Sequence, residues 1–126
     1  MKKVLLLFLI YFLLLSCGPD KTTPEYAAKQ YLTALKNSDW ETAMKYATPE
    51  SRGPIEMLKS LDADMGITEI RDIKCEVKDS KAMCYFCCSK DSSFNRVLLT
   101  LSDKNKWVAN RSEDSYWEYR NWDKMK

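Results

Sequence analysis

The chain of 126 residues contains no histidine, and it has only three glycines and four prolines. Without histidine there can be no imidazole general base and no histidine-containing metal site. The 20 basic and 18 acidic residues are spread along the chain, and no basic block of the kind that binds nucleic acid is present. We therefore expect no metal ion, no cofactor and no nucleic-acid partner.

Long apolar runs are also scarce, and the clearest one is near the N-terminus. Lys2 and Lys3 precede twelve consecutive apolar residues, Val4 to Leu15. As a helix this run would span roughly 18 Å at 1.5 Å per residue, whereas the bilayer core requires about 20 residues. A positive start, a short apolar middle and a small residue at the end are typical of a secretory signal peptide.

The end of this run, Leu14-Leu15-Ser16-Cys17, resembles the lipobox of bacterial lipoproteins. The resemblance implies that a diacylglycerol is attached to the Cys17 thiol, that cleavage occurs between Ser16 and Cys17, and that Cys17 becomes an acylated N-terminus. Two or more acyl chains, such as palmitate, hold a protein stably on a membrane. The expected location is the bacterial cell envelope, at the outer membrane, in its periplasmic or surface-facing leaflet. The alternative is an ordinary signal anchor with an incidental cysteine.

The rest of the chain divides by composition. Residues 1–16 form the predicted signal peptide, and residues 17–23 read as a solvated tether because Gly18 and Pro19 disfavour regular structure. Residues 24–111 are expected to form one domain, followed by an aromatic-rich tail, residues 112–126. Loss of Lys2 and Lys3 with the signal leaves the mature chain with 18 residues of each charge.

The spacing of apolar residues predicts helices first and strands afterwards. Thr23-Pro24 is a typical helix start, Ser38 and Glu41 form a capping box for a second helix, and a third is expected over residues 54–65. Beyond Gly66 the apolar period changes to two. Four strands are expected, over residues 73–78, 81–89, 94–101 and 107–111.

This order resembles a known family. "PEYAAKQYLTALKNSDWETAMKYATPE", followed by a strand meander that ends at "KWVANR", is similar to small bacterial lipoproteins of unknown function with a nuclear-transport-factor-2-like (cystatin-like) domain. The resemblance implies an α+β fold in which N-terminal helices pack on a curved antiparallel β-meander. It also implies a cone-shaped pocket between the first helix and the sheet. The fold does not decide the function, because it hosts enzymes, binding domains and scaffolds.

Turn geometry indicates one disulfide. If Asp79-Ser80 is a two-residue turn, Cys75 faces Cys84 in a non-hydrogen-bonded pair, where Cα atoms are about 4.5–5.5 Å apart and a disulfide can form. The alternative is two free thiols on the core face. A CxxC redox site and a four-cysteine zinc site are disfavoured, because Cys84 and Cys87 lie within a strand and alternate between its faces.

The positions expected to face the pocket contain no carboxylate. Tyr26 and Tyr31 could donate a hydrogen bond there, but no base accompanies them. We therefore predict no catalytic residue and no enzymatic activity.

Two groups of residues could instead form an interaction surface, one on the outer face of the second strand and one in the tail. Apolar side chains on an exposed sheet face can mark a partner surface, here also a route to a homodimer, and aromatic side chains with polar tips suit interfaces. The alternative is that the tail covers the sheet. The six residues are Met83, Tyr85, Tyr116, Trp117, Tyr119 and Trp122.

The sequence thus favours a lipid-anchored envelope protein with a non-catalytic domain that binds a protein or a small molecule. Two alternatives remain open. One is an envelope enzyme that acts on a small apolar substrate in the pocket, and the other is a structural partner in an outer-membrane assembly.

Overall fold

A computed structural model describes residues 22–89, 94–112 and 115–125 of the chain. Three helices come first: α1 (Pro24–Lys36), α2 (Trp40–Lys45) and α3 (Pro49–Ser60). Four strands follow: β1 (Arg71–Lys78), β2 (Lys81–Cys87), β3 (Phe94–Leu101) and β4 (Trp107–Ala109). The tail adds helix α4 (Tyr116–Asn121) and a 3₁₀ turn (Trp122–Lys124). The strands form an open antiparallel sheet in the order β1-β2-β3-β4, so the predicted α+β class is confirmed.

Helix α1 begins where the sequence predicts. The Tyr26 N–H donates to Thr23 Oγ1 at 3.3 Å, and Pro24 occupies the first turn, where its missing N–H removes no helical hydrogen bond. The buried side of the helix packs in one core cluster with residues of β2 and β3. Its main members are Ala27, Ala28, Tyr31, Leu32 and Leu35.

The predicted limits of the next two helices are wrong. Asp39, not Ser38, caps α2, with Oδ1 accepting from the Thr42 N–H at 3.3 Å. Helix α3 spans residues 49–60 rather than 54–65. The sequence Thr48-Pro49 starts this helix in the way that Thr23-Pro24 starts α1, and a Pro in a first turn favours a helix.

The β1–β2 hairpin has the predicted register. Cys75 pairs with Cys84, Val77 with Ala82 and Lys78 with Lys81, so Asp79-Ser80 is the turn. Asp79 has a left-handed φ of 55°, a conformation that Asp tolerates in tight hairpin turns. Cys75 and Cys84 are joined by a disulfide across a Cα–Cα separation of 4.0 Å.

The outer face of the sheet is covered by the tail. Met83, Leu98 and Trp122 form a second core cluster, and each is 0% exposed. Trp122 Nε1 donates to Glu76 Oε2 at 3.0 Å, and Lys78 Nζ donates to the Trp122 carbonyl at 2.7 Å. The sheet is therefore sandwiched between α1 on one face and the tail on the other.

Among the residues that the structure describes, no helix is long and apolar enough to cross a membrane.

Candidate functional site

The structure places the predicted site residues in different surroundings. Ser16 and Cys17, the predicted cleavage and lipidation positions, lie outside the described residues. Cys75 and Cys84 are used by the disulfide, which removes both from a zinc site and Cys84 from a CxxC dithiol. Cys87 and Cys88 are free thiols, the first buried and the second half-buried.

The predicted interaction surface must be corrected. Met83 and Trp122 are fully buried against each other and cannot contact a partner. Tyr85 and Tyr119 are partly buried against the same cluster. The apolar centre of the outer sheet face is thus occupied by the chain's own tail, which was the alternative that the sequence left open. Only Tyr116 and Trp117 remain largely exposed, at 60% and 62%, and any second copy docking here would meet these rings.

A cavity of about 180 Å³ lies where α1 and the sheet meet residues 65–67. We call it the inner cavity. It is smaller than the ~300–1,000 Å³ typical of pockets for drug-sized ligands, so it suits a small molecule or the end of a longer one. Most of its lining is apolar, and its polar members are Tyr31, Asn95, Arg96 and Arg111, with Cys88 beside them. The apolar lining comprises Leu32, Leu35, Met65, Ile67, Phe86 and Val97.

Tyr31 brings an unpaired hydroxyl to the inner cavity. The residue is 1% exposed, and its phenolic oxygen has no hydrogen-bond partner within the described part of the chain. A buried polar group left without a partner costs about 1–3 kcal/mol. The unpaired oxygen of Tyr31 therefore marks a place where a bound molecule could supply the missing hydrogen bond.

A second cavity of about 430 Å³, here the outer cavity, adjoins the first. Arg96 and Arg111 line both cavities, so these two residues lie at the junction between them. The rest of the outer lining is polar or aromatic, and no carboxylate from the described ranges contributes to either lining. Its other members are Ser112, Ser115, Tyr116, Tyr119 and Arg120.

The junction exists because β4 is short. This strand pairs with β3 only from Leu99 to Leu101, so residues 94–98 of β3 pair with β2 on one side but with no described strand on the other side. Tyr119 closes part of that gap, since its Oη accepts a hydrogen bond from the Leu98 N–H at 2.7 Å. Burial raises the pKa of Tyr119, so this phenol stays protonated at neutral pH. Arg96 and Arg111 lie next to Tyr119 along this edge of β3.

The backbone of Arg111 is held by helix α3. Its N–H donates to Ser51 Oγ at 2.7 Å, and Ser51 shares a hydrogen bond of 2.7 Å with Thr48 Oγ1. Ser51 is fully buried on α3. Helix α3 therefore fixes where the chain turns after β4, and with it the point from which the Arg111 side chain extends.

We expect Ser51→Ala to lower the free energy of unfolding by about 1–3 kcal/mol, because the partly buried Arg111 N–H and the buried Thr48 hydroxyl would both lose their partner. Urea denaturation of the full chain measures the change. The matched control on the same helix is Ser60→Ala, whose hydroxyl donates to the Met57 carbonyl on the exposed surface, and its effect should stay within about 0.5 kcal/mol. Equal effects of the two substitutions would contradict the assigned role of Ser51.

The guanidinium of Arg111 interacts with both phenols at the junction. Burial lowers the pKa of Arg111, but the interactions with Tyr31 and Tyr119 outweigh it and hold the pKa above its ordinary value. The arginine is thus a permanent cation beside two hydroxyl groups. Chemically, this arrangement can bind and orient an anion.

The sequence did not indicate either junction arginine. Arg96 lies in β3 and Arg111 lies just after β4, and at such positions an arginine is usually a solvated side chain. Their one signal is that each lies close to apolar strand residues, and this signal is too general to identify a site.

Comparisons of the chain with models of protein families, with characterised proteins and with solved structures give no match.

Proposed function

We propose that this chain is a lipid-anchored protein of the bacterial cell envelope whose domain binds a small, largely apolar molecule without transforming it. The inner cavity carries this proposal, because a concave apolar site with a few convergent polar groups is the usual form of a small-molecule site. The lipobox-like Leu14-Leu15-Ser16-Cys17 supports the envelope location.

We further propose that the domain is of the nuclear-transport-factor-2-like (cystatin-like) type. Two features support this assignment: a first helix of 13 residues packs on the inner face of an antiparallel meander, and a cavity lies between helix and sheet. The family resemblance of residues 24–111 points the same way.

The polar groups of the inner cavity favour binding over catalysis. A general acid–base mechanism needs a group that can take up a proton near neutral pH. The lining within the described ranges supplies Tyr31, Cys88, Arg96 and Arg111, and arginine does not release its proton in proteins. The alternative, an envelope enzyme acting on a small apolar substrate, would need a base from elsewhere.

A protein partner is a second candidate, favoured by one observation. Tyr116 and Trp117 project from α4 with more than half of their surface exposed, and the Arg120 guanidinium lies 4.4 Å from the Tyr116 ring centroid. Aromatic and arginine side chains are enriched in protein–protein interfaces. An outer-membrane assembly could use this surface while the cavity stays free.

The test of the proposed function is to fill the inner cavity. With the full chain in phosphatidylcholine nanodiscs, calorimetric titration should detect binding of 1-octanol above the signal of empty nanodiscs. Ile67→Trp should weaken this binding at least tenfold, because the indole would occupy the cavity. Leu61→Trp is the matched control, since Leu61 is 70% exposed and lines neither cavity.

Binding that is equal in Ile67→Trp, in Leu61→Trp and in the unaltered chain would show that octanol does not use the cavity. That result, or no binding above empty nanodiscs, would contradict the proposed function.

A further inference from the structure

We propose that the junction of the two cavities binds the oxyanion head, a carboxylate or a phosphate, of an amphiphile whose apolar part occupies the inner cavity. This inference rests on the proposed function, because it specifies the class of small molecule that the cavity takes. The site consists of Arg96, Arg111 and Arg120 with the hydroxyl of Tyr31.

Positive charge is concentrated at the junction. Three arginines line the outer cavity, and two of them also line the inner one. The full chain has 20 basic and 18 acidic residues, whereas all charged residues that line the two cavities within the described ranges are arginines. A site lined by one sign of charge raises the local concentration of the opposite ion.

Two acidic side chains of the described residues, one on α4 and one on β1, are engaged with other partners. Glu118, on the same helix as Arg120, pairs with Lys81. Glu76 accepts from Trp122 and pairs with Lys78 at 3.6 Å. In the chain segments that the structure describes, the ion pairs leave the three junction arginines without a carboxylate partner. An external oxyanion would supply that partner.

The hydrogen-bond donors at the junction suit an oxyanion. A guanidinium presents a planar fork of N–H groups that matches two oxygens of a carboxylate or phosphate. The hydroxyl of Tyr31 is buried, and its proton has no acceptor among the described residues, because the Arg111 guanidinium that interacts with it is a donor only. A head group at the junction could accept from both, which would satisfy the phenol as well as the cations.

The inner cavity selects the other end of the molecule. Behind the arginines its wall is made of aliphatic and aromatic side chains from α1, β2, β3 and residues 65–67. Burying methylene or aromatic groups against such a wall lowers the free energy of binding, but the wall offers few hydrogen bonds. A molecule with a short alkyl or aromatic body and one anionic end therefore fits both the apolar inner cavity and the arginines at the junction. A free inorganic anion would leave the inner cavity empty.

The experiment compares three probes of eight carbon atoms each: octanoate, octyl phosphate and 1-octanol. Each is titrated at pH 7 into the full chain in phosphatidylcholine nanodiscs, a neutral lipid that adds no competing net charge. We expect at least one anionic probe to bind roughly tenfold or more tightly than 1-octanol, given the strength of hydrogen bonds to charged groups. The tighter of octanoate and octyl phosphate identifies the head group.

Variants then locate the head group. Arg111→Met and Arg96→Met should each weaken the preferred anion roughly tenfold and leave 1-octanol within about twofold, because only the charge–charge hydrogen bonds are lost. Tyr31→Phe should weaken the anion severalfold through the loss of one hydroxyl. Arg52→Met, which removes the same charge from an exposed position on α3, should change neither probe.

The outcomes separate the inference from the function on which it rests. If all three probes bind equally, or if both arginine variants lose octanol as much as the anion, the anionic head site is overturned while cavity binding stands. If no probe binds, the proposed function fails as well. Arg96→Met serves as a second, independent variant. The backbone of Arg111 is held by Ser51, whereas that of Arg96 is not, so a disturbance of this hydrogen bond would affect only the Arg111 variant.

Discussion

Replacement of Trp122 by alanine should lower the free energy of unfolding by roughly 3–5 kcal/mol, the range for removing a large buried aromatic side chain. Trp122 is fully buried against Met83 and Leu98, and its indole N–H donates to Glu76. Lys78 lies 4.7 Å from the ring centroid. Because a domain of this size is stable by only about 5–15 kcal/mol, the variant would lose a large share of its stability.

Urea denaturation of the full chain, followed by circular dichroism, measures this loss. Trp117→Ala is the matched control: it removes the same side chain from the same tail, at a position that is 62% exposed. Its expected effect is within about 0.5 kcal/mol, as for most surface substitutions. Similar losses for Trp117→Ala and Trp122→Ala would contradict the packing of the tail on the sheet.

Replacement of Cys17 by serine should abolish lipidation completely and leave the unprocessed precursor. Serine lacks the thiol to which the diacylglycerol is proposed to be attached. The resemblance to bacterial lipoproteins implies that cleavage before residue 17 requires this modification. Without acyl chains, each buried CH₂ of which contributes about 0.8 kcal/mol to membrane binding, the proposed anchor is lost.

Intact-protein mass spectrometry after expression in a bacterium checks the result. Cys88→Ser is the matched control, since it removes a free cysteine that directly follows β2 and should leave processing unchanged. A Cys17→Ser protein with the mass of the normal mature, acylated chain would contradict the lipoprotein proposal.

The sheet could be predicted from sequence because its signals are local. Alternation of apolar and polar residues sets which side chains face the core, and the Asp79-Ser80 turn sets the pairing of Cys75 with Cys84. The third helix was misplaced because Thr48-Pro49 can follow one helix or begin the next. The isolated bridge between Ala47 and Ala109 favours the start of a helix at Thr48-Pro49. This bridge joins residues far apart in the chain, so a local sequence pattern does not indicate it.

The candidate site could not be predicted because it is assembled from distant parts of the chain. Arg96 comes from β3, Arg111 follows β4, and Arg120 belongs to the tail helix. The three meet only because β4 ends early and the tail packs across the sheet. In the sequence, each arginine alone is indistinguishable from a solvated surface residue. Tyr31, in contrast, is predicted from the sequence to be a hydrogen-bond donor in the pocket with no base beside it.

The most direct test of the central claim, that the space between α1 and the sheet is a binding site, is a crystal structure of the chain with octanoate. We predict that the alkyl chain lies against Leu32, Leu35 and Phe86, and that the carboxylate lies within hydrogen-bond distance of Arg111. Octanoate bound only at the exposed rings of Tyr116 and Trp117, with the inner cavity filled by side chains, would contradict the account.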